Sequence, residues 1–281
     1  MTFNHLVTQY IRPMRPIPTS LEPSGMLTEK IKCIIFDVYG TLFISGSGDV
    51  GTARKNKMTR LRLEKLIRRY HIDKHPDQVL SDFFHQIEIV HQALCKKGID
   101  FPEVTIEKIW QTVLGLDAQS ARKFSVEYEW IQNPVYPMPC LKQMLNNCRK
   151  SNTMMGILSN AQFFTPYLFD WLLKSNLGDL GFEPDITLFS FQFGRAKPSP
   201  YLFQLAVNRL KKKDISAHDV LYVGNDMLND IYPAQRVGFK TALFAGDARS
   251  LRLREDHFRC KNLSPDLIIT RLDQLLKRIL T

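Results

Sequence analysis

Cysteine is scarce in this sequence, and none of it is paired by spacing. The chain holds five, scattered from Cys33 to Cys260 with no CxxC pair. That excludes a disulfide framework and a cysteine zinc site, and it suits a reducing compartment, with cytoplasm as the default. Long apolar runs are missing too: none approaches the roughly 18 residues a membrane span requires. The opening MTFNHLVTQYIRPMRPIPTS lacks the apolar centre of a signal peptide. A soluble chain with no membrane partner is expected.

What is present is a globular composition, 44% hydrophobic and 23% charged over 281 residues. That length suits one large domain or two modest ones, and the expectation is one core domain carrying an insertion. The net charge of +10 is concentrated locally: Arg54, Lys55, Lys57, Arg60, Arg62, Lys65, Arg68 and Arg69 face a single acid, Glu64. Leu61, Leu63, Leu66 and Ile67 fall among them at near-helical spacing, which gives a helix with a solvated basic face. The alternative is an electropositive wall over an anionic ligand. No RNA- or DNA-binding motif accompanies the charge, so no nucleic-acid partner is expected.

The chain divides into three parts. Residues 1–30 hold four of the fifteen prolines, in RPMRPIPTSLEP, and predict an extended arm. Short apolar runs then recur as buried strands: IKCIIFD, TMMGILSN, ITLFS, VLYVGND, KTALF and DLIIT. Helical patterns at Phe163–Lys174, Pro200–Lys212 and Leu228–Val237 separate the later ones. This alternation predicts an α/β fold with a doubly wound parallel sheet over 31–45 and 134–281. Residues 46–133 read differently, with helical periodicity in Met58–Tyr70, Asp77–Lys97, Thr105–Leu114 and Ala118–Ile131. That is too long for a simple crossover and predicts an inserted all-helical cap domain. The segment SGSGDVG, Ser45–Gly51, is read as a hinge into the cap, with a backbone-amide nest for an anion as the alternative, and not as a nucleotide loop.

In an open parallel sheet, ligands bind beyond the carboxyl ends of the strands. Four strand ends here carry polar groups. Asp37 and Thr41 follow the first in FDVYGTLF, and Ser159 and Asn160 follow the second. Lys197 stands in GRAKPSP after the third, and Asn225, Asp226 and Asp230 follow the fourth in VGNDMLND. A carboxylate nucleophile, donors for phosphoryl oxygens, an ammonium and an acidic pair for a divalent cation suit phosphoryl transfer to an aspartate.

The ordered set DVYGT, LSN, KPSP and GNDxxND resembles the four motifs of the haloacid dehalogenase (HAD) superfamily, over about residues 31–245, and the helical insertion resembles that superfamily's cap. The resemblance implies that Asp37 is the nucleophile, that Thr41 and Ser159 hydrogen-bond the transferred group with Asn160 beside them, and that Lys197 stabilises its charge. It also implies Mg²⁺ held by Asp37, the backbone carbonyl of Tyr39, Asp226 and Asp230. The register of GND leaves Asn225 and Asp226 as candidates for one ligand position. Asp226 is preferred, because it keeps a four-residue separation from Asp230 and a carboxylate binds Mg²⁺ better than an amide.

Tyr39 departs from the superfamily's phosphatases, which usually carry Asp there as general acid and base. Tyrosine resembles the 2-haloacid dehalogenases, which expel halide and use no metal. Those enzymes replace the first metal-facing acid by a hydroxyl residue, whereas Asp226 remains here. The tyrosine they carry six residues after the lysine falls on Phe203. The expected function is therefore a Mg²⁺-dependent phosphatase of a small anionic phosphomonoester, acting through an aspartyl-phosphate. The alternatives are a metal-free dehalogenase-like hydrolase with an ester on Asp37, and a catalytically weak binding or regulatory module.

Overall fold

The computed structural model describes residues 9–47 and 57–280; of the expected hinge, residues 48–51 lie outside them, as do Arg54 and Lys55 of the basic segment. In chain order the elements before and through the cap are β1 (Cys33–Phe36), β2 (Phe43–Ser45), α1 (Lys57–Arg69), α2 (Pro76–Cys95), α3 (Ile106–Leu114) and α4 (Ala118–Gln132). The core resumes with β3 (Val135–Pro137), α5 (Leu141–Lys150), β4 (Met154–Ser159), α6 (Tyr167–Leu173), β5 (Phe182–Phe189) and α7 (Ser190–Phe193). It ends with α8 (Pro200–Lys211), β6 (Val220–Gly224), α9 (Tyr232–Arg236), β7 (Lys240–Phe244) and β8 (Leu267–Ile269).

Six strands form one parallel sheet in the order β5-β4-β1-β6-β7-β8. Strand β1 is central and apolar at every position because both of its faces are covered. Ile34 and Phe36 belong to the cluster packed with Leu141, Leu145 and Phe169, while Cys33 and Ile35 belong to the one packed with Leu202, Phe203 and Leu210. All six strands expected from the apolar runs are present. Helix α5 lies where no helix was expected, and α6 begins at Tyr167, later than the periodicity from Phe163 suggested.

The insertion is helical and has its own core, where Phe83 of α2 stacks on Trp110 of α3 at 4.1 Å and Phe124 of α4 packs on the same indole at 4.8 Å. Pro76 opens α2, and the Asp117 carboxylate caps α4 by accepting from Gln119 N and Ser120 N. Cap and core are joined by a two-stranded ribbon of β2 and β3. Ser45 Oγ donates to Asn133 Oδ1 at 2.8 Å, and Gly46 N donates to the Pro134 carbonyl. Gly46, Gly48 and Gly51 do carry GxGxxG spacing in the sequence, but they come after β2 of this ribbon and not after a strand of the parallel sheet, so the context of a dinucleotide loop is missing.

The proline-rich arm is extended and tied down. Ser24 bridges Ile268 of β8, Leu27 N donates to the Arg278 carbonyl, Thr19 Oγ1 donates to the Ala245 carbonyl, and Tyr10 reaches α4. No helix among the described residues is long and apolar enough to cross a membrane.

Candidate active site

Segments following β1, β4, β5 and β6 meet in a crevice of about 260 Å³ lined by Asp37, Asn160, Lys197, Asn225, Asp226 and Asp230. The chain stays in register with β6 through Asp37, whose N–H donates to the Val223 carbonyl at 2.9 Å. It then turns tightly, with the N–H groups of Thr41, Leu42 and Phe43 converging on the Val38 carbonyl. Gly40 makes this turn at φ 82°, and a Cβ there would strike Ser250 and the Asn225 amide. Gly224 serves a close approach, since a Cβ would fall inside the Asp230 carboxylate. Asp230 Oδ2 thereby reaches the strand end and accepts from Asn225 N at 3.0 Å and Asp226 N at 2.9 Å.

Lys197 is the electrostatic centre. Its buried Nζ donates to Asp37 Oδ1 at 2.7 Å and Asp230 Oδ1 at 2.5 Å, and lies 3.0 Å from the Tyr222 hydroxyl. Burial by itself lowers an ammonium's pKa, but the charges of Asp230 and Asp37 outweigh it and hold Lys197 above the ordinary lysine value. Burial pushes Asp230 upward against the pull of Lys197. Asp37 Oδ2 makes no hydrogen bond among the described residues.

The other expected residues divide by position. Asn160 lines the crevice and clamps the lysine's backbone, accepting from Lys197 N at 2.6 Å and donating to its carbonyl at 3.1 Å. Tyr39 lines it as well, with its hydroxyl 2.9 Å from Thr165 Oγ1. Burial raises the phenol's pKa, and the nearby charges of Glu129 and Asp37 add to the rise. Tyr39 is therefore neutral and no base for water. Thr41 and Ser159 are buried just behind the lining: Thr41 Oγ1 donates to Asn225 Oδ1 at 3.0 Å, and Ser159 Oγ to the Asn160 carbonyl at 3.3 Å. Asp226 lines the crevice but both of its oxygens are committed, with Asn229 Nδ2 donating to Oδ2 at 3.0 Å. Its Oδ1 accepts from Leu228 N and Asn229 N, and Arg254 Nη2 holds its Oδ2 at 2.7 Å.

Among the described residues no three acidic, histidine or cysteine side chains converge on one point as a ready metal cage. Mg²⁺ does not require one, because it is commonly held by one or two carboxylates together with waters and substrate phosphate oxygens. The lining fits that chemistry: among the described residues Asp37 Oδ2 and the Tyr39 carbonyl are uncommitted hard oxygens, and Asp226 lines the same crevice, while the Asn225 amide is already held by Thr41 and the Ser250 carbonyl. Asp230 is already engaged on both oxygens, Oδ1 by Lys197 and Oδ2 by two backbone amides.

Sequence reasoning missed Tyr222, whose hydroxyl sits beside Lys197 and Asp230 and donates to the Leu158 carbonyl. Within an apolar strand run it reads as core, and only strand pairing turns it toward the site. Arg254 was missed because nothing local distinguishes it from other surface arginines. Among the described residues the basic face of α1 does not line the crevice: Arg62, Lys65 and Arg69 border a separate cavity against Tyr10, Arg12 and Met14 of the arm. Arg60, Arg68 and Arg69 pair with Asp77, Glu64 and Glu127. The wall over an anionic ligand at Asp37 is thus replaced by a face turned toward the arm.

Comparison with known proteins places this geometry. The chain resembles glyceraldehyde 3-phosphate phosphatase of Pyrococcus furiosus, 28% identical over 141 residues, which are 50% of this chain and 53% of that protein. The chain thus spans about half the length of this curated relative. Two solved structures, a 2-haloacid dehalogenase from Pseudomonas syringae and a HAD phosphatase from Thermococcus onnurineus, each share the fold with a TM-score of 0.53. Each is 17% identical, covering 88% of this chain and 97% of the other. A family model described as haloacid dehalogenase-like hydrolase matches residues 31–238, from the start of β1 to just beyond α9, and the chain belongs to that family of hydrolases.

Proposed function

We propose that this hydrolase is a phosphatase of a small phosphomonoester, with Asp37 as nucleophile and Mg²⁺ as cofactor. The observation that carries the reading is the buried Lys197 ammonium held against Asp37 Oδ1, which leaves Oδ2 open to the crevice. Asp37 Oδ2 attacks phosphorus as the bond to the leaving oxygen breaks, and water then cleaves the aspartyl-phosphate at phosphorus to release phosphate. Lys197 offsets the charge that builds on the phosphoryl oxygens, and Asn160 fixes its backbone. Thr41 and Asn225 brace each other at the mouth of the turn. Asp37, the Tyr39 carbonyl and Asp226 are the residues to hold Mg²⁺, which when bound neutralises the repulsion between a phosphate dianion and Asp37. The named phosphatase relative supports this substrate class.

A dehalogenase-like reaction is the second reading, favoured by Tyr39 and by the Arg254 charge already paired with Asp226. The test is phosphate and halide release across a panel of phosphomonoesters and 2-haloacids, with added Mg²⁺ and with chelator. Mg²⁺-dependent phosphate release supports the proposal. Chelator-resistant halide release supports the second reading and overturns the first.

A further inference from the structure

Beside the crevice lies a second cavity of about 290 Å³ between cap and core, and Ser47 and Asn133 line both. Its apolar wall includes Phe83, Ile87, Val104 and Tyr128, while two acids, Glu103 and Glu129, also line it. No lysine or arginine lines it among the described residues. His91 does, and burial lowers that imidazole's pKa, so it adds no charge at neutral pH.

The acids of this region are not equivalent. Glu127, two residues earlier on α4 and fully buried, is saturated: Arg69 pairs with it at 2.7 Å, and the Tyr10 and Tyr70 hydroxyls donate to it. Glu103 has neutral donors on both oxygens, from Gln162 Nε2, Val104 N and Ser190 Oγ. Glu129 has a single donor, Asn133 Nδ2 at 3.2 Å on Oε1, and its Oε2 makes no hydrogen bond among the described residues. A carboxylate kept for structure is paired as Glu127 is, because an unpaired one in an apolar surrounding is costly.

We infer that this cavity receives the organic part of the substrate and that Glu129 selects an ammonium group on it, so that the enzyme prefers the phosphate ester of an amino alcohol or amino phenol. The inference rests on the phosphatase reading for the fate of the ester, but the recognition itself stands on the cavity. A ligand ammonium gives Glu129 the counter-charge that Arg69 gives Glu127. The aromatic and aliphatic wall takes the carbon skeleton, and two acids with no cation beside them among the described residues reject a leaving group bearing a carboxylate or a second phosphate. Burial raises the Glu129 carboxyl to about 7, as expected of an acid with no cation beside it.

The test compares O-phosphotyramine with 4-ethylphenyl phosphate, two aryl esters that differ by the ammonium, in wild type and Glu129→Gln. Tyramine and 4-ethylphenol are titrated by calorimetry alongside, as probes that need no chemistry. A charge-assisted bond predicts about 10 to 100-fold higher kcat/KM for phosphotyramine, carried by KM, and the same order of preference in tyramine binding. In Glu129→Gln both preferences fall to within about twofold while kcat on 4-ethylphenyl phosphate is kept. Equal treatment of the two esters and of the two free phenols by the wild type overturns the inference even if the variant does not fold. A preference that survives in a folded Glu129→Gln overturns it as well. An equal loss of kcat on both esters makes Glu129 a proton-transfer group and contradicts recognition. If neither ester is hydrolysed while tyramine is still preferred through Glu129, the phosphatase reading fails and the recognition stands.

Discussion

Lys197 Nζ stands between Asp37 Oδ1 and Asp230 Oδ1, at 2.7 and 2.5 Å, with all three side chains buried. One cation thus joins the ends of β1 and β6 to the segment after β5. Removing it leaves two buried carboxylates facing each other. Lys197→Met should destabilise the fold by about 3 to 5 kcal/mol in denaturant titration. Tyr222→Phe should cost about 1 to 3 kcal/mol, since the Leu158 carbonyl loses its hydroxyl donor. Wild-type stability in both would mean that the triad is not formed.

Arg254 holds the carboxylate of Asp226 that the proposed Mg²⁺ site would use. Releasing Asp226 from Arg254 should raise Mg²⁺ affinity about tenfold in Arg254→Ala, and Asp226→Asn should abolish that gain, both read by calorimetry. Unchanged or weaker binding in Arg254→Ala would remove Asp226 from the ligand set.

A pH dependence of stability follows from Glu103. Burial lifts its carboxyl from the ordinary 4.5 to about 7, against the opposing bonds from Ser190, Val104 N and Gln162. The folded state therefore binds a proton that the unfolded state has released. The contribution is complete below pH 4.5 and is lost as pH rises through 7, amounting to at most about 3 kcal/mol. Glu103→Gln should flatten the fall in melting temperature between pH 5 and 8. An unaltered slope would contradict the assignment.

Much of the parallel sheet was legible because its strands are buried on both faces and read as unbroken apolar runs, as in CIIF of β1. The polar groups after β1, β4 and β6 were legible for the same reason, since Asp37, Asn160 and Asn225 follow closely on the ends of their runs, whereas Lys197 stands eight residues past the end of β5. Local spacing could not reveal what depends on distant pairing. Tyr222 looks like core until β6 lies beside β1, and Glu129 looks like any helical acid until Phe83, Ile87 and Gln162 close around it. Helix α5 was missed because its first turn follows a left-handed Cys140, with no side-chain cap to announce it. The arm's prolines could not announce its docking on β8 and the cap.

Tyr39 occupies the sequence position at which phosphatases of the family usually carry an Asp, and its hydroxyl is held by Thr165. General acid catalysis typically contributes about 10² to 10⁴-fold, so aryl and acyl phosphates should be turned over far faster than alkyl phosphates. Tyr39→Asp should narrow the aryl-to-alkyl ratio of kcat/KM by about tenfold or more. An unchanged ratio in a folded, Mg²⁺-binding variant would place the proton source elsewhere.

The central claim is that Asp37 carries the phosphoryl group. With a neutral Tyr39 unable to activate water, the covalent intermediate should accumulate during turnover of an aryl phosphate. Acid quenching followed by peptide mapping measures it directly. The account predicts a phosphoryl group on the peptide containing Asp37, dependent on Mg²⁺ and absent in Asp37→Asn, which should also lose about 10⁴-fold or more in kcat. Phosphate release in the wild type with the label on another residue, or undiminished turnover by Asp37→Asn, would contradict it.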